Sequence, residues 1–110
     1  MLDEYVRVTN EAGIVPGEMK VYKINGREIL VVNYNGVFYA VDGKCPHMGG
    51  DLSKGVLEEN VIVCPKHHSR FDVTNGKAIS GPKIFLLNLK VKDLKSYPVK
   101  VEDGEIRVKI

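Results

Sequence analysis

Turn signals divide this chain into many short segments, and that division most constrains its fold. Asn-Gly and Asp-Gly pairs are typical of two-residue hairpin turns, and they occur at 25–26, 35–36, 42–43, 75–76 and 103–104. Segments rich in β-branched and aromatic residues lie among them, at about 4–9, 20–24, 28–34, 37–41, 60–63, 70–73, 85–91, 97–102 and 105–110. None has the period of an amphipathic helix, although a short helical turn fits near 91–95. The pattern predicts an all-β fold, an antiparallel β-sandwich or partly open barrel.

Three segments predict where the core lies. The run at 29–32 and the run Val61–Val63 are continuously apolar, so we expect both to be buried on two sides. The second run leads directly to Cys64. In the last segment, apolar residues at 106, 108 and 110 alternate with charged ones, which predicts one buried and one wet face.

Length and composition restrict the kind of protein. A chain of 110 residues predicts a single domain, 1–110, and 44% hydrophobic with 27% charged residues is typical of a globular protein. We find no apolar run long enough to cross a bilayer and no secretory leader, so we expect no membrane anchor and a cytoplasmic location. A net charge of +2, with acidic and basic residues interspersed, argues against nucleic acid as a partner.

The only two cysteines occur in two short motifs, each with a histidine. Cys45 and His47 form a C-x-H motif, and Cys64 and His67 form a C-x-x-H motif. Each motif therefore supplies one thiolate and one imidazole. Such a set suits a cluster of two irons and two sulfides in which one iron takes the sulfurs and the other takes the nitrogens.

Other uses of these four side chains stay open at this point. Two thiolates and two imidazoles also suit tetrahedral zinc, although zinc sites more often pair like ligands at C-x₂₋₄-C and H-x₃₋₅-H spacing. One disulfide is a further alternative, which a reducing compartment disfavours. The last alternative is two polar loops without any ligand.

The residues around both motifs resemble those of the Rieske iron–sulfur family. The first loop reads C-P-H-M-G-G-D-L, like the family's C-P-H-x-G-x-x-L, and the second reads C-P-K-H-H-S-R-F-D, like C-P-x-H-G-x-x-F-D. Glycine at 76 and Gly-Pro at 81–82 match further family positions. The resemblance implies a β-sandwich with a small cluster-binding subdomain, whose loops span about 43–52 and 63–72. It also implies one Rieske-type [2Fe-2S] cluster per chain, held by Cys45, His47, Cys64 and His67.

Departures from the family pattern bear on the redox potential. Gly50 and Lys66 stand where membrane-bound, quinol-oxidising members have cysteines that form a disulfide between the loops. Phe71 replaces the tyrosine of those members and cannot donate to a cysteine sulfur, whereas Ser69 can still donate to a sulfide. We therefore expect a midpoint potential in the low to middle part of the family range of roughly −150 to +300 mV.

A second histidine raises a question of ligand register. His68 stands where most of the family has glycine, so its side chain is expected to alter the turn. The family spacing favours His67 as the ligand and His68 as a loop residue, and Met48 is expected to pack under the loop. If His47 and His67 are exposed at the tip, electron uptake should be coupled to proton uptake at alkaline pH.

The sequence offers no second set of ligands for a catalytic iron and no Gly-rich loop for flavin or nicotinamide. We therefore expect a carrier of single electrons between a reductase and an acceptor such as an oxygenase, with no small-molecule substrate of its own. The alternatives are a small Rieske-like subunit of a nitrite reductase or other redox enzyme and a structural zinc module. A basic collar for an acidic partner is expected from Lys44, Lys54, Lys66, Arg70, Lys77 and Lys83. Nearby acidic residues make an ordinary mixed surface an equal alternative.

Overall fold

The computed structural model describes residues 5–46, 50–66, 68–80, 83–84, 87–88 and 91–110. Its strands are β1 (Tyr5–Asn10), β2 (Met19–Ile24), β3 (Arg27–Tyr34), β4 (Val37–Asp42), β5 (Val56–Glu58), β6 (Val61–Val63), β7 (Arg70–Asp72), β8 (Ala78–Ser80), β9 (Lys83–Ile84), β10 (Leu87–Asn88), β11 (Ser96–Tyr97), β12 (Val99–Glu102) and β13 (Glu105–Lys109). Single 3₁₀ turns lie at Glu11–Gly13 and Leu52–Lys54. No α-helix occurs in the described ranges, and the strand pairs are antiparallel, so the predicted all-β fold is confirmed.

The strands form a base and a smaller subdomain. In the base, a three-stranded sheet, β1-β13-β12, packs on a four-stranded sheet, β11-β4-β3-β2. A second four-stranded sheet, β5-β6-β7-β8, carries the Cys64 motif, and β9 pairs with β10. This arrangement agrees with the expected sandwich and small cluster-binding subdomain.

The β11-β4-β3-β2 sheet takes part in two cores, which explains the apolar run at 29–32. Ile29 and Val31 pack in the sandwich core with Ile106 and Val108. Leu30 and Val32 point the other way, into a second core that includes both cysteines. Because side chains alternate along a strand, a strand between two cores must be apolar at every position. The expectation for 29–32 is therefore confirmed.

The run Val61–Val63 does not follow that expectation fully. Ile62 is buried completely, but the residues on either side of it are only half-buried. Among the described residues, a core covers only the face of the subdomain sheet that carries Ile62, so β6 alternates as an ordinary half-exposed strand does.

Three of the predicted hairpin turns are confirmed. At 25–26, 35–36 and 103–104 both residues have positive φ, as a tight turn between twisted strands requires. The predictions for 42–43 and 75–76 are wrong, since Asp42 ends β4 and the β7–β8 connection is longer than two residues. A further turn lies at 59–60, where Glu59 takes φ +55 without any glycine to signal it.

The remaining differences concern strand limits. The predicted strand at 97–102 is interrupted at Pro98, which lacks an N–H, and the chain there passes from the β4 sheet to the β13 sheet. Of the predicted strand at 85–91, only Leu87–Asn88 is a described strand, and no helix forms at 91–95. β5, β8 and β9 were not predicted, because they lack the continuous β-branched run that marks the equally short β6. The Gly-Pro pair at 81–82 lies outside the described residues.

Candidate metal centre

Both cysteine motifs begin at the end of an antiparallel pair and close in the same way. Lys44 bridges to Asp51 in one hairpin, and Val63 pairs with Arg70 in the other. Within the first, the Cys45 N–H donates to the Gly50 carbonyl at 2.8 Å. In the second, the Cys64 N–H donates to the Ser69 carbonyl, also at 2.8 Å. The loops 45–50 and 64–69 are therefore a matched pair, each with its cysteine at the start.

The two cysteines lie in one core and approach the opposite loop. Cys45 and Cys64 are 3% and 2% exposed, and they are not joined in a disulfide. A Cβ added to Gly50 would lie 2.9 Å from the Cys64 sulfur and 3.3 Å from the Lys66 side chain. Gly50 thus lets the first loop pass against the sulfur of the second, because a side chain at this position would overlap that sulfur.

Ser69 supports the assignment of an iron–sulfur cluster at this place. Its side chain is 1% exposed, yet its hydroxyl has no hydrogen-bond partner in the part of the chain that the structure describes. Leaving a buried hydroxyl without a partner costs about 1–3 kcal/mol. A sulfide acceptor between the loops would satisfy it, so the residue fits a cluster better than it fits an empty loop.

Each loop is supported by an aspartate that accepts two hydrogen bonds. Asp51 accepts from the hydroxyl and N–H of Ser53 at 2.6 and 3.0 Å, and the hydroxyl is the main reason that the pKa of Asp51 is lowered. Asp72 accepts from Thr74 in the same way, at 2.6 and 2.9 Å. Burial by itself raises the pKa of Asp72, but the hydrogen bonds outweigh it and lower the pKa.

The predicted nitrogen ligands, His47 and His67, lie outside the described residues, as does Met48. Within the described ranges, no group of three or more His, Cys, Asp or Glu side chains comes together. His68 is described and exposed, and its N–H donates to the Cys64 carbonyl at 3.1 Å. Its φ of +62° is the left-handed conformation that favours glycine, so the histidine side chain does not prevent that turn.

The expected basic collar is only partly available for a partner. Lys44 pairs with Glu28 at 3.1 Å, and Arg70 pairs with Glu58 at 3.0 Å. Lys54, Lys66 and Lys77 are exposed, while the side chain of Lys83 is not described. Phe71 is completely buried in the core that contains both cysteines.

One contact near the first loop was not predicted. The Tyr97 hydroxyl donates to Asp42 at 2.6 Å, and burial together with this bond raises the pKa of Tyr97. Asp42 ends β4 just before the loop, and its backbone N–H donates to the Lys95 carbonyl at 3.0 Å. Sequence offers no signal for this contact, because the partners are far apart in the chain and meet only when β11 pairs with β4.

The described part of the chain contains no helix with the length and apolar character that crossing a bilayer requires.

Comparison with known proteins identifies the family. The Rieske [2Fe-2S] domain model matches residues 4–98. The ferredoxin component of the naphthalene 1,2-dioxygenase/salicylate 5-hydroxylase systems of Ralstonia sp. is 39% identical over 97 residues, which cover 88% of this chain and 86% of that protein.

Solved structures agree with the family match. The ferredoxin of carbazole 1,9a-dioxygenase from Nocardioides aromaticivorans IC177 matches with a TM-score of 0.81 and 31% identity, covering 96% of both chains. A chain from a complex of reduced oxygenase and oxidized ferredoxin in carbazole 1,9a-dioxygenase matches with a TM-score of 0.84 and 27% identity, over 98% of this chain and 94% of that one. The family match decides between iron–sulfur and zinc in favour of the cluster. The chain belongs to the Rieske [2Fe-2S] family and is a non-catalytic electron-transfer protein with a Rieske-type cluster.

Proposed function

We propose that this chain is a soluble, cytoplasmic, single-domain ferredoxin, spanning 1–110, that carries single electrons from a reductase to a terminal oxygenase. The protein from Ralstonia sp. is named as the ferredoxin component of two oxygenase systems, and one matching structure is a complex of ferredoxin with oxygenase. Those names describe the relatives. Their similarity over nearly the whole chain supports the same type of partner for this one.

We assign one iron to Cys45 and Cys64 and the other to His47 and His67. The matched closure of loops 45–50 and 64–69 is the single observation that supports this assignment, because each loop opens with its cysteine and has one histidine of the motif in its sequence. Ser69 is assigned as a hydrogen-bond donor to a sulfide. When bound, the cluster accepts and releases one electron, and its two neutral nitrogen ligands raise its potential above that of an all-cysteine cluster.

The protein around the site excludes water and restricts movement. Both cysteines are buried against Leu52, Ile62 and Phe71, so the sulfur side faces a dry core. These residues bind and position the cluster, and none of them is needed to transform a substrate.

The proposal is tested by reconstituting electron flow. The purified protein should contain equal amounts of iron and acid-labile sulfide, and a flavoprotein reductase with NADH should reduce it. The reduced protein should then support turnover by an oxygenase component that is inactive without a ferredoxin. Protein that contains the cluster and is reduced, yet supports no oxygenase in a panel of such systems, would contradict the proposed partner.

A further inference from the structure

A groove lies beside the first cysteine loop, on the side of the β2–β3 hairpin. Cys45 and Pro46 line one side of it, and Lys23 and Arg27 line the other. It is an open cleft of about 550 Å³, so it is suited to a protruding surface of another molecule more than to an enclosed ligand. Its contact with Cys45 makes it continuous with the proposed cluster site.

The charged side chains that line the groove differ in whether they already have a partner within the protein. Glu28 is paired with Lys44, and Asp42 accepts hydrogen bonds from the Tyr97 hydroxyl and the Lys95 N–H. Lys23 and Arg27 are exposed, and neither has an ion-pair partner in the described ranges. Both anions are therefore engaged inside the protein, and Arg27 interacts with the Tyr97 hydroxyl, so Lys23 is the lining cation most available to a partner.

We propose that this groove is a docking surface for an acidic segment on the protein with which this chain exchanges electrons. The inference rests on the proposed function and adds the charge of the partner and the side of the cluster that it approaches. At the second cysteine loop, the guanidinium of Arg70 is already paired with Glu58, and Lys66 is an exposed cation. Charges at the rim of a transient interface act mainly on the association rate and on its salt dependence.

Two small oxidants, one anionic and one cationic, test the charge of the groove in lysine variants. The reduced holoprotein is oxidised in a stopped-flow instrument by anionic ferricyanide and, separately, by cationic hexaammineruthenium(III). The variants are Lys23→Glu and the milder Lys23→Gln, which guards against repulsion between a new carboxylate and Glu28 on the facing strand. Lys77→Glu and Lys77→Gln are matched controls. Lys77 is also an exposed lysine, but it follows the end of β7 that is distant from the second cysteine loop.

At an ionic strength of about 10 mM, Lys23→Glu should slow oxidation by ferricyanide about threefold and should accelerate oxidation by hexaammineruthenium(III). Lys23→Gln should change both rates about half as much. Both Lys77 variants should stay close to the unaltered protein, and the differences should disappear near 1 M salt, where the Debye length is only about 3 Å. Equal effects at positions 23 and 77, or no effect at position 23, would overturn the proposal.

A competition arm distinguishes an acidic polypeptide from a small anion. Polyglutamate should slow oxidation of the unaltered protein by ferricyanide and should have a weaker effect on Lys23→Glu. Absence of competition by polyglutamate would overturn docking of an acidic segment. Failure of the proposed function itself is recognised separately, since it would appear in the unaltered protein as a lack of cluster or of reduction by the reductase.

Discussion

His68 provides a test of ligand register at the scale of one residue. Its φ of +62° is strained for a side chain with a Cβ, and this conformation costs about 1 kcal/mol relative to glycine. We expect His68→Gly to keep the cluster and to raise the thermal unfolding temperature by a few degrees. The matched change, His67→Gly, should abolish the visible absorption of the cluster. Loss of colour in His68→Gly together with a coloured His67→Gly protein would reverse the assignment of the ligand.

Phe71 is the residue at which the potential should be easiest to raise. It stands where the quinol-oxidising members have a tyrosine, and it is completely buried in the core that contains both cysteines. We expect Phe71→Tyr to raise the midpoint potential by about 40 mV, since a hydrogen bond worth about 1 kcal/mol corresponds to that shift for one electron. Redox titration followed by circular dichroism measures it. An unchanged or lower potential in a fully loaded variant would show that the new hydroxyl does not favour the reduced cluster.

At the scale of the elements, Gly55 allows the chain after the 3₁₀ turn Leu52–Lys54 to pack directly against the end of β6. It follows the 3₁₀ turn Leu52–Lys54, and a Cβ at this position would lie 2.1 Å from the Val63 carbonyl oxygen. Val63 immediately precedes Cys64, so a displacement there would be passed to the second loop. We expect Gly55→Ala to destabilise the protein by about 2 kcal/mol and to lower cluster occupancy.

The control for this change is Gly26→Ala, a turn glycine with positive φ and open space around its Cα. It carries backbone strain without any overlap. Urea unfolding and iron content should therefore separate the two variants, with occupancy reduced only in Gly55→Ala. Equal occupancy in both would show that the contact with Val63 does not position the loop.

The two supporting aspartates predict how the loops respond to acid. The pKa of Asp51 and the pKa of Asp72 are lowered in the folded state, so each stabilises the protein above the usual aspartate pKa of about 3.8, and that stabilisation is lost as the pH falls through the lower, folded value. Asp51→Asn and Asp72→Asn should therefore flatten the decline of unfolding temperature below about pH 4. Asp103→Asn, which changes an exposed turn residue, is the control. Parallel acid profiles for all four proteins would contradict this role.

At the scale of the whole molecule, sequence predicts the parts that depend on local chemistry. Three Asn-Gly or Asp-Gly turns and the apolar run at 29–32 carry their own signal, and the structure agrees with them. Of the two cysteine motifs, the structure describes both cysteines and buries them in one core, while His47 and His67 lie outside the described residues. The β5 and β8 strands have no such signal, because they are short and form only by pairing with β6 and β7. The crossing of the chain at Pro98 and the Tyr97–Asp42 contact also depend on distant partners. Sequence alone does not place either.

The central claim is that one iron is held by sulfur and the other by nitrogen, with each loop supplying one ligand of each kind. Pulsed EPR on the reduced protein, prepared with ¹⁵N-labelled histidine, tests it most directly. We expect strong hyperfine coupling to two histidine nitrogens, and the couplings should change from the ¹⁴N to the ¹⁵N pattern in the labelled protein. A reduced cluster without strongly coupled nitrogen, or a colourless protein containing zinc and no acid-labile sulfide, would contradict it.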